Sequence, residues 1–333
     1  MNGLSNGLAS PLMWGMDALA DVAGASAAGG AESSGGGIYF LDQLLNGLSV
    51  GSIYAFIALG YTMVYGIIKL INFAHGEFFM VGSMVGYFIF ESVGPTLGMG
   101  QGGSVVFAIL MSMITAAIAT GVLAVITERL AYRPLQNASR IAALLTALGV
   151  SILLQNLAAR LFTAEQKGYP DILPPAWKQI IVIGSLVIAF AALMLIVKRT
   201  ALGRAMRAVS YNFETARLMG IESGRVIAWT FFIGAFCAGI GGVIWGLRYG
   251  NANPFMGAMP GLKAFIAAVI GGIGSLPGAL LGGLMLGVLE VLIVAFLPSE
   301  YTGYKDVVAF LALILILTLK PQGLLGRFEG QKV

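Results

Sequence analysis

The sequence predicts an all-α, polytopic helical membrane protein with about eight transmembrane helices, some of them glycine-rich and broken. Of its 333 residues, 58% are hydrophobic and only 10% are charged, whereas a soluble domain carries roughly 25% charged residues. The mean hydropathy is +0.89. Too few charges remain to cover a water-facing surface, so the composition excludes a soluble enzyme, a disordered chain and a coiled coil.

Apolar runs mark the candidate membrane helices, and several approach the roughly 20 residues needed to cross a bilayer. The run 264–297 is too long for one span, and Pro277-Gly278 is expected to break it into two passes or one broken helix. The runs lie at about 38–66, 74–92, 104–127, 141–161, 179–197, 226–247, 264–297 and 304–319.

Residues 1–37 differ from the rest, because 22 of them are Gly, Ala or Ser. This composition predicts a flexible tail, followed by one transmembrane domain at 38–333. Basic residues concentrate at 129–140, 198–225 and 320–332. Short basic loops between apolar runs are typical of the cytoplasmic side of a membrane. The net charge of +4 is therefore explained by topology, and we expect no nucleic-acid partner.

Several chemistries have no support in the sequence. It contains no phosphate-binding G-x-x-x-x-G-K-[ST] segment, one cysteine and one histidine. We therefore expect no ATP site of its own, no metal site, no cofactor and no catalytic residues.

The loop 198–225 contains a candidate docking helix. Asn212 is expected to cap a helix over 213–219, Glu214 suits its positive end, and Gly220 is expected to end it. A helix of two turns needs a partner surface. The loop is either a solvated connection or a segment that docks in a groove of a soluble protein, and these interpretations are about equally supported.

Polar residues in or near the apolar runs are candidates for a substrate path. Asn72, His75 and Glu77 open the second run, where they either line the path or cap a helix near water, which we favour. Glu290 is an acid inside a span, with no identifiable partner. A broken helix near 271–278 is a further candidate, although four-residue glycine spacing favours packing. The candidate path residues in this broken helix are Gly271, Gly272, Gly274 and Ser275.

Several long motifs closely resemble those of bacterial branched-chain amino-acid ABC permeases, over residues 38–333. The first is Ile71-Asn72-Phe73-Ala74-His75-Gly76-Glu77, and the second is Glu128-Arg129-Leu130-Ala131-Tyr132-Arg133-Pro134. The others are 204–221, 263–283, 304–308 and 323–326.

The resemblance implies a permease subunit in the bacterial inner membrane, surrounded by membrane lipids. Its implied partners are a second, homologous permease, two cytoplasmic ATPase subunits and a periplasmic amino-acid-binding protein. The implied substrates are leucine, isoleucine and valine. The residues that match the family's ATPase-coupling motif are Arg204, Arg207, Ala208, Asn212, Glu214, Ala216 and Gly220.

Three alternatives stay open. An ABC permease for urea, other amides or other amino acids shares the turn at 72–77 and the coupling loop. A proton-coupled secondary transporter would use His75, Glu77 and Glu290 as a relay. An intramembrane enzyme would need Ser275 and His75 within hydrogen-bond reach of each other.

Overall fold

The computed structural model describes residues 36–93, 102–135, 139–171 and 173–326, and these residues are mostly helical. The first half runs through helices α1 to α5, and a π-helical turn, Glu128–Tyr132, follows α3. The bounds are Gly36–Ile68 (α1), His75–Val93 (α2), Gly102–Thr127 (α3), Arg140–Phe162 (α4) and Pro175–Arg199 (α5).

The described part of the second half contains six α-helices, two of them short. Its bounds are Ala201–Tyr211 (α6), Phe213–Leu218 (α7), Ser223–Tyr249 (α8), Ala258–Gly271 (α9), Leu276–Phe296 (α10) and Lys305–Leu319 (α11). A two-residue strand, Lys167–Gly168, pairs antiparallel with Asn251–Ala252, so the connection before α5 is tied to the end of α8.

The polytopic all-α prediction is confirmed. Seven helices of the described residues are long and apolar enough to cross a membrane, namely α1, α3, α4, α5, α8, α10 and α11 with their flanking turns. Helix α2 has 19 residues and is largely buried, and α9 is a shorter apolar helix. The predicted count of eight is therefore not confirmed.

The core is built on α1, α2, α8 and α10, whose backbones approach closely at glycines. A Cβ added at Gly51 would lie 2.7 Å from Leu284 Cα of α10, and one at Gly82 would lie 2.5 Å from Gly239 Cα of α8. Without a hydrophobic drive between membrane helices, such close contact is a main source of helix association. Gly283 and Gly287, four residues apart on α10, lie in the same kind of close contact with Ala55 and Gly51 of α1. These contacts support the packing role that we favoured for the four-residue glycine spacing.

The structure corrects the predicted break in the run 264–297. Helix α9 ends at Gly271, α10 begins at Leu276, and the break is the segment 272–275. Pro277 lies in the first turn of α10, where a missing N–H and a fixed φ suit a helix start. Pro277-Gly278 therefore begins a helix instead of interrupting one.

The predicted tail lies almost wholly outside the described residues. Helix α1 includes Gly36 and Gly37, so these two residues of the predicted tail are helical.

Candidate functional site

The first turn of α2 lies in the interior of the molecule, at a point where four glycines leave no room for a side chain. A Cβ at Gly76 would overlap Gly257 O and would lie 3.1 Å from Gly261 Cα. A Cβ at Gly60 would overlap the ring of His75. Helix α2 and the start of α9 therefore meet backbone to backbone, and the His75 ring fills the space beside Gly60 of α1.

His75 is buried among aromatic rings. Its ring centroid lies 4.9 Å from that of Tyr61 and 6.0 Å from that of Phe78, and 1% of the residue is exposed. Its Nε2 has no hydrogen-bond partner among the described residues. The expectation that this histidine lies near water is wrong, because its ring packs against Gly60 and the backbone of Gly76 packs against Gly257, which places the start of α2 inside the molecule.

Glu77 links α2 to α4 and is also buried, which corrects its predicted place near water. Its Oε1 accepts hydrogen bonds from Ser151 Oγ at 2.9 Å and from Gln155 Nε2 at 2.8 Å. Its Oε2 has no partner among the described residues. One oxygen of this carboxyl group is thus fixed by α4, and the other faces the Gly257 backbone.

Asn72 closes the turn before α2. Its Oδ1 accepts from Ala74 N at 3.1 Å and from Tyr132 OH at 2.5 Å. Because α2 begins at His75, the bond to Ala74 N closes a turn before the helix and is not the helix cap that the sequence predicts. The same oxygen also ties this turn to the π-helical turn that follows α3.

The polar groups do not form the arrangements that an intramembrane enzyme or a proton-coupled transporter would need. Ser275 Oγ accepts from Gly278 N at 3.3 Å, and it shares no hydrogen bond with His75 in the described part of the chain. The dyad of an intramembrane enzyme is therefore not formed. Nor does any hydrogen bond among the described residues join His75, Glu77 and Glu290 into a proton relay.

Glu290 belongs to a separate buried ion-pair cluster. Its Oε1 lies 2.8 Å from Lys263 Nζ, which also lies 2.7 Å from Asp306 Oδ1. Tyr54 OH donates to Glu290 Oε2 at 2.7 Å. Sequence analysis found no partner for Glu290. The signal was present, because a lysine within an apolar helix also requires a buried counter-charge.

The segment 272–275 is held by the chain that follows α11. Leu324 N donates to Ile270 O at 2.8 Å, and Leu325 N donates to Gly271 O at 2.9 Å. Carbonyl groups at the end of α9 would otherwise lack partners. Gly272 and Gly274 have φ of +103° and +96°, a region that glycine adopts without strain. Ser275 then caps α10.

The loop between α5 and α8 folds into two short helices. Both helices are capped at the start, and α7 is also capped at its end. Thr200 Oγ1 accepts from Gly203 N at 3.0 Å at the start of α6, and Asn212 Oδ1 accepts from Thr215 N at 2.9 Å at the start of α7. Gly220, at φ +80°, and Ile221 donate to Arg217 O and Ala216 O, both at 3.0 Å. This bond pair is a Schellman ending. The predicted capping roles of Asn212 and Gly220 are confirmed, and α7 ends at Leu218, one residue before the predicted end.

Helices α6 and α7 bury one face and present the other to solvent. The buried face includes Gly203, Met206, Val209 and Ala216. The outer face exposes Arg204, Arg207 and Glu214, and Arg207 Nη1 donates to Val197 O. Ala208 is half-buried.

Large apolar side chains on this outer face are the signal that sequence analysis missed. Leu218 is 87% exposed, Met219 79% and Tyr211 79%. They flank a polar, charged helix pair and leave apolar surface open to solvent. We call these three residues the α7 apolar patch.

The sequence profile of a protein family matches residues 43–317, which is most of the chain. The family is described as the permease component of the branched-chain amino acid transport system. This chain belongs to that family. The family consists of transport permeases, so the chain is a transport subunit and not an enzyme.

Curated relatives agree over nearly their whole length. The chain is 44% identical over 310 residues to the high-affinity branched-chain amino acid transport system permease protein LivH of Escherichia coli K12, covering 89% of this chain and 98% of the relative. BraD of Pseudomonas aeruginosa gives the same identity and coverage. A probable LivH of Methanocaldococcus jannaschii is 25% identical, covering 81% of this chain and 87% of the relative. No solved structure matches the chain.

Proposed function

We propose that this chain carries leucine, isoleucine and valine across the bacterial inner membrane as one permease subunit of an ATP-driven importer. The substrate class comes from the names of the relatives, which are high-affinity branched-chain amino acid permeases. The fold supports transport, because polar groups lie inside an assembly of apolar helices.

The observation that carries the ATP-driven mechanism is the α7 apolar patch. A chain with no phosphate-binding loop must obtain work from another subunit or from an ion gradient. Helix α7 is too short to be stable alone, yet it is capped at both ends and displays Leu218 and Met219 to solvent. A short helix presented in this way fits a groove on a soluble ATPase subunit.

The remaining parts of the assembly follow from this docking. A second, homologous permease would complete the path, two ATPase subunits would bind the α6–α7 loops, and a periplasmic amino-acid-binding protein would deliver substrate. ATP-driven motion of the docked helices would reach the bundle through α5 and α8, which flank the loop.

The test is uptake of labelled leucine by cells that express the whole transporter. Leu218→Glu with Met219→Glu should abolish uptake and the co-purification of the ATPase subunits, because two charges replace the apolar contact. The matched control is Leu218→Met with Met219→Leu, which keeps the apolar surface and should retain both. Uptake that survives the glutamate variant would overturn the coupling assignment.

The energy source and substrate are tested in the same assay. Uptake should be lost on ATP depletion, but should persist with a protonophore and with excess urea. Loss with the protonophore while ATP is held constant would favour a proton-coupled transporter, and competition by urea would favour an amide permease.

A further inference from the structure

A cavity of about 340 Å³ lies where α3 ends and α8 begins. The cavity is not part of the proposed substrate path. Its basic wall is formed by Arg129, Arg133 and Arg225, and its apolar wall by Val125, Trp229 and Phe232. The only lining carboxylate among the described residues is Glu222. We call this feature the arginine cavity.

One arginine is fixed in place by the fold. Arg133 Nε and Nη2 donate to the two carboxylate oxygens of the buried Glu128, each at 3.2 Å. Nη2 also donates to Gly224 O at 3.3 Å, which joins the end of α3 to the start of α8. The basic wall is therefore built before any ligand arrives.

The other two arginines are available to an anion. Arg225 pairs with Glu222 at 2.9 Å, but both side chains are largely exposed, and such surface pairs contribute little. Arg129 is exposed and makes no salt bridge within the described residues. Guanidinium groups bind phosphate oxygens with paired hydrogen bonds.

The opposite wall continues into an exposed apolar surface on the membrane-spanning helix α3. Trp229 is 51% exposed, and Ile126 and Val122 of α3 are 47% and 48% exposed along the adjoining face. A free anion would contact only the basic wall and would leave the apolar wall uncovered. An acidic protein segment would not extend along the face of a membrane-spanning helix. A ligand with a phosphate headgroup and an acyl chain satisfies both walls.

We infer that the arginine cavity binds one anionic phospholipid, with its phosphate between Arg129 and Arg225 and an acyl chain along Trp229 and the exposed face of α3. A neighbouring cavity of about 410 Å³ also includes Arg133, together with Phe213, Arg217 and Gly220 of the α7 region. The bound lipid thus lies beside the segment that connects the coupling helix to α8.

The test uses the full transporter in nanodiscs and measures quenching of tryptophan fluorescence by brominated phosphatidylglycerol. Subtracting the signal of Trp229→Phe isolates Trp229. Phosphatidylglycerol should quench Trp229 at lower mole fraction than brominated phosphatidylcholine does. Arg129→Gln with Arg225→Gln should weaken the apparent affinity for phosphatidylglycerol by about 30-fold, from the loss of two near-surface cation contacts.

The matched control is Arg199→Gln, which removes an exposed basic residue at the end of α5 outside the cavity and should leave quenching unchanged. Equal quenching by the two lipids, or equal affinity in the parent and the double arginine variant, would show bulk lipid contact only and overturn the site. So would complete protection from phosphatidylglycerol by millimolar inorganic phosphate, which would identify a free-anion site.

Discussion

Lys263 and Glu290 form a buried ion pair, with 2.8 Å between Nζ and Oε1 and with side chains that are 7% and 5% exposed. Asp306 shares the same ammonium group at 2.7 Å. Because these residues lie on α9, α10 and α11, the pair fixes the broken helix relative to two spans. A buried charge that loses its partner is strongly destabilising, whereas removal of a whole pair is often tolerated.

Lys263→Met should therefore lower the free energy of unfolding by about 3–5 kcal/mol, because it leaves two carboxylates without a counter-charge. Lys263→Met combined with Glu290→Met should be less destabilised than Lys263→Met alone. Thermal unfolding of the detergent-purified protein measures this order. A double variant that melts below the single variant would contradict the assignment of the pair.

His75→Ala should retain substantial leucine uptake per folded molecule while lowering thermal stability. The ring packs against Tyr61 and Phe78 and its Nε2 has no partner among the described residues, so the loss is one of packing, of the order of 2–5 kcal/mol for a large-to-small change. Uptake and membrane abundance should be measured together. Complete loss of uptake at normal abundance and stability would place His75 in the path or gate.

Local features were predictable from the sequence because local chemistry determines them. Composition alone predicts the membrane-spanning class. The cap at Asn212 and the helix ending at Gly220 depend on neighbours within six positions, and both were predicted correctly.

Burial at the start of α2 was not predictable, because it depends on distant segments. His75 is drawn inside by contact with Gly60, and Gly76 is in contact with Gly257, 181 positions away in the chain. The Lys263–Glu290 pair spans 27 positions and the break between two helices. No periodicity within one helix encodes contacts of this kind.

Gln155→Leu should loosen α4. Gln155 Nε2 and Ser151 Oγ both donate to Glu77 Oε1, and removing one donor to a buried carboxyl group costs about 1–3 kcal/mol. The matched control is Asn156→Leu, because Asn156 is exposed and its side chain donates to Ile152 O within α4. Hydrogen exchange of the α4 amides should increase in the first variant only, and equal exchange in both would remove the anchoring role of Glu77.

Gly220→Pro should abolish uptake and leave the chain in the membrane. Proline cannot adopt the φ of +80° found at this position and lacks the N–H that donates to Arg217 O. Glu214→Lys should also abolish uptake, since it places a cation in the first turn of α7. Gly149→Ala is the control, because an added Cβ there meets nothing within 4 Å. Normal uptake in both loop variants would contradict the assignment of this loop to ATPase coupling.

Gly272→Ala should release the segment after α11 from the end of α9. The position has φ +103°, and an added Cβ would lie 2.7 Å from Gly326 Cα, so the variant is strained and the C-terminal segment must move. The amides of Leu324 and Leu325, which donate to Ile270 O and Gly271 O, should then exchange faster with deuterium. Gly184→Ala, in open space on α5, should leave their exchange unchanged. Unaltered protection of these two amides in Gly272→Ala would show that the C-terminal segment does not depend on this close approach.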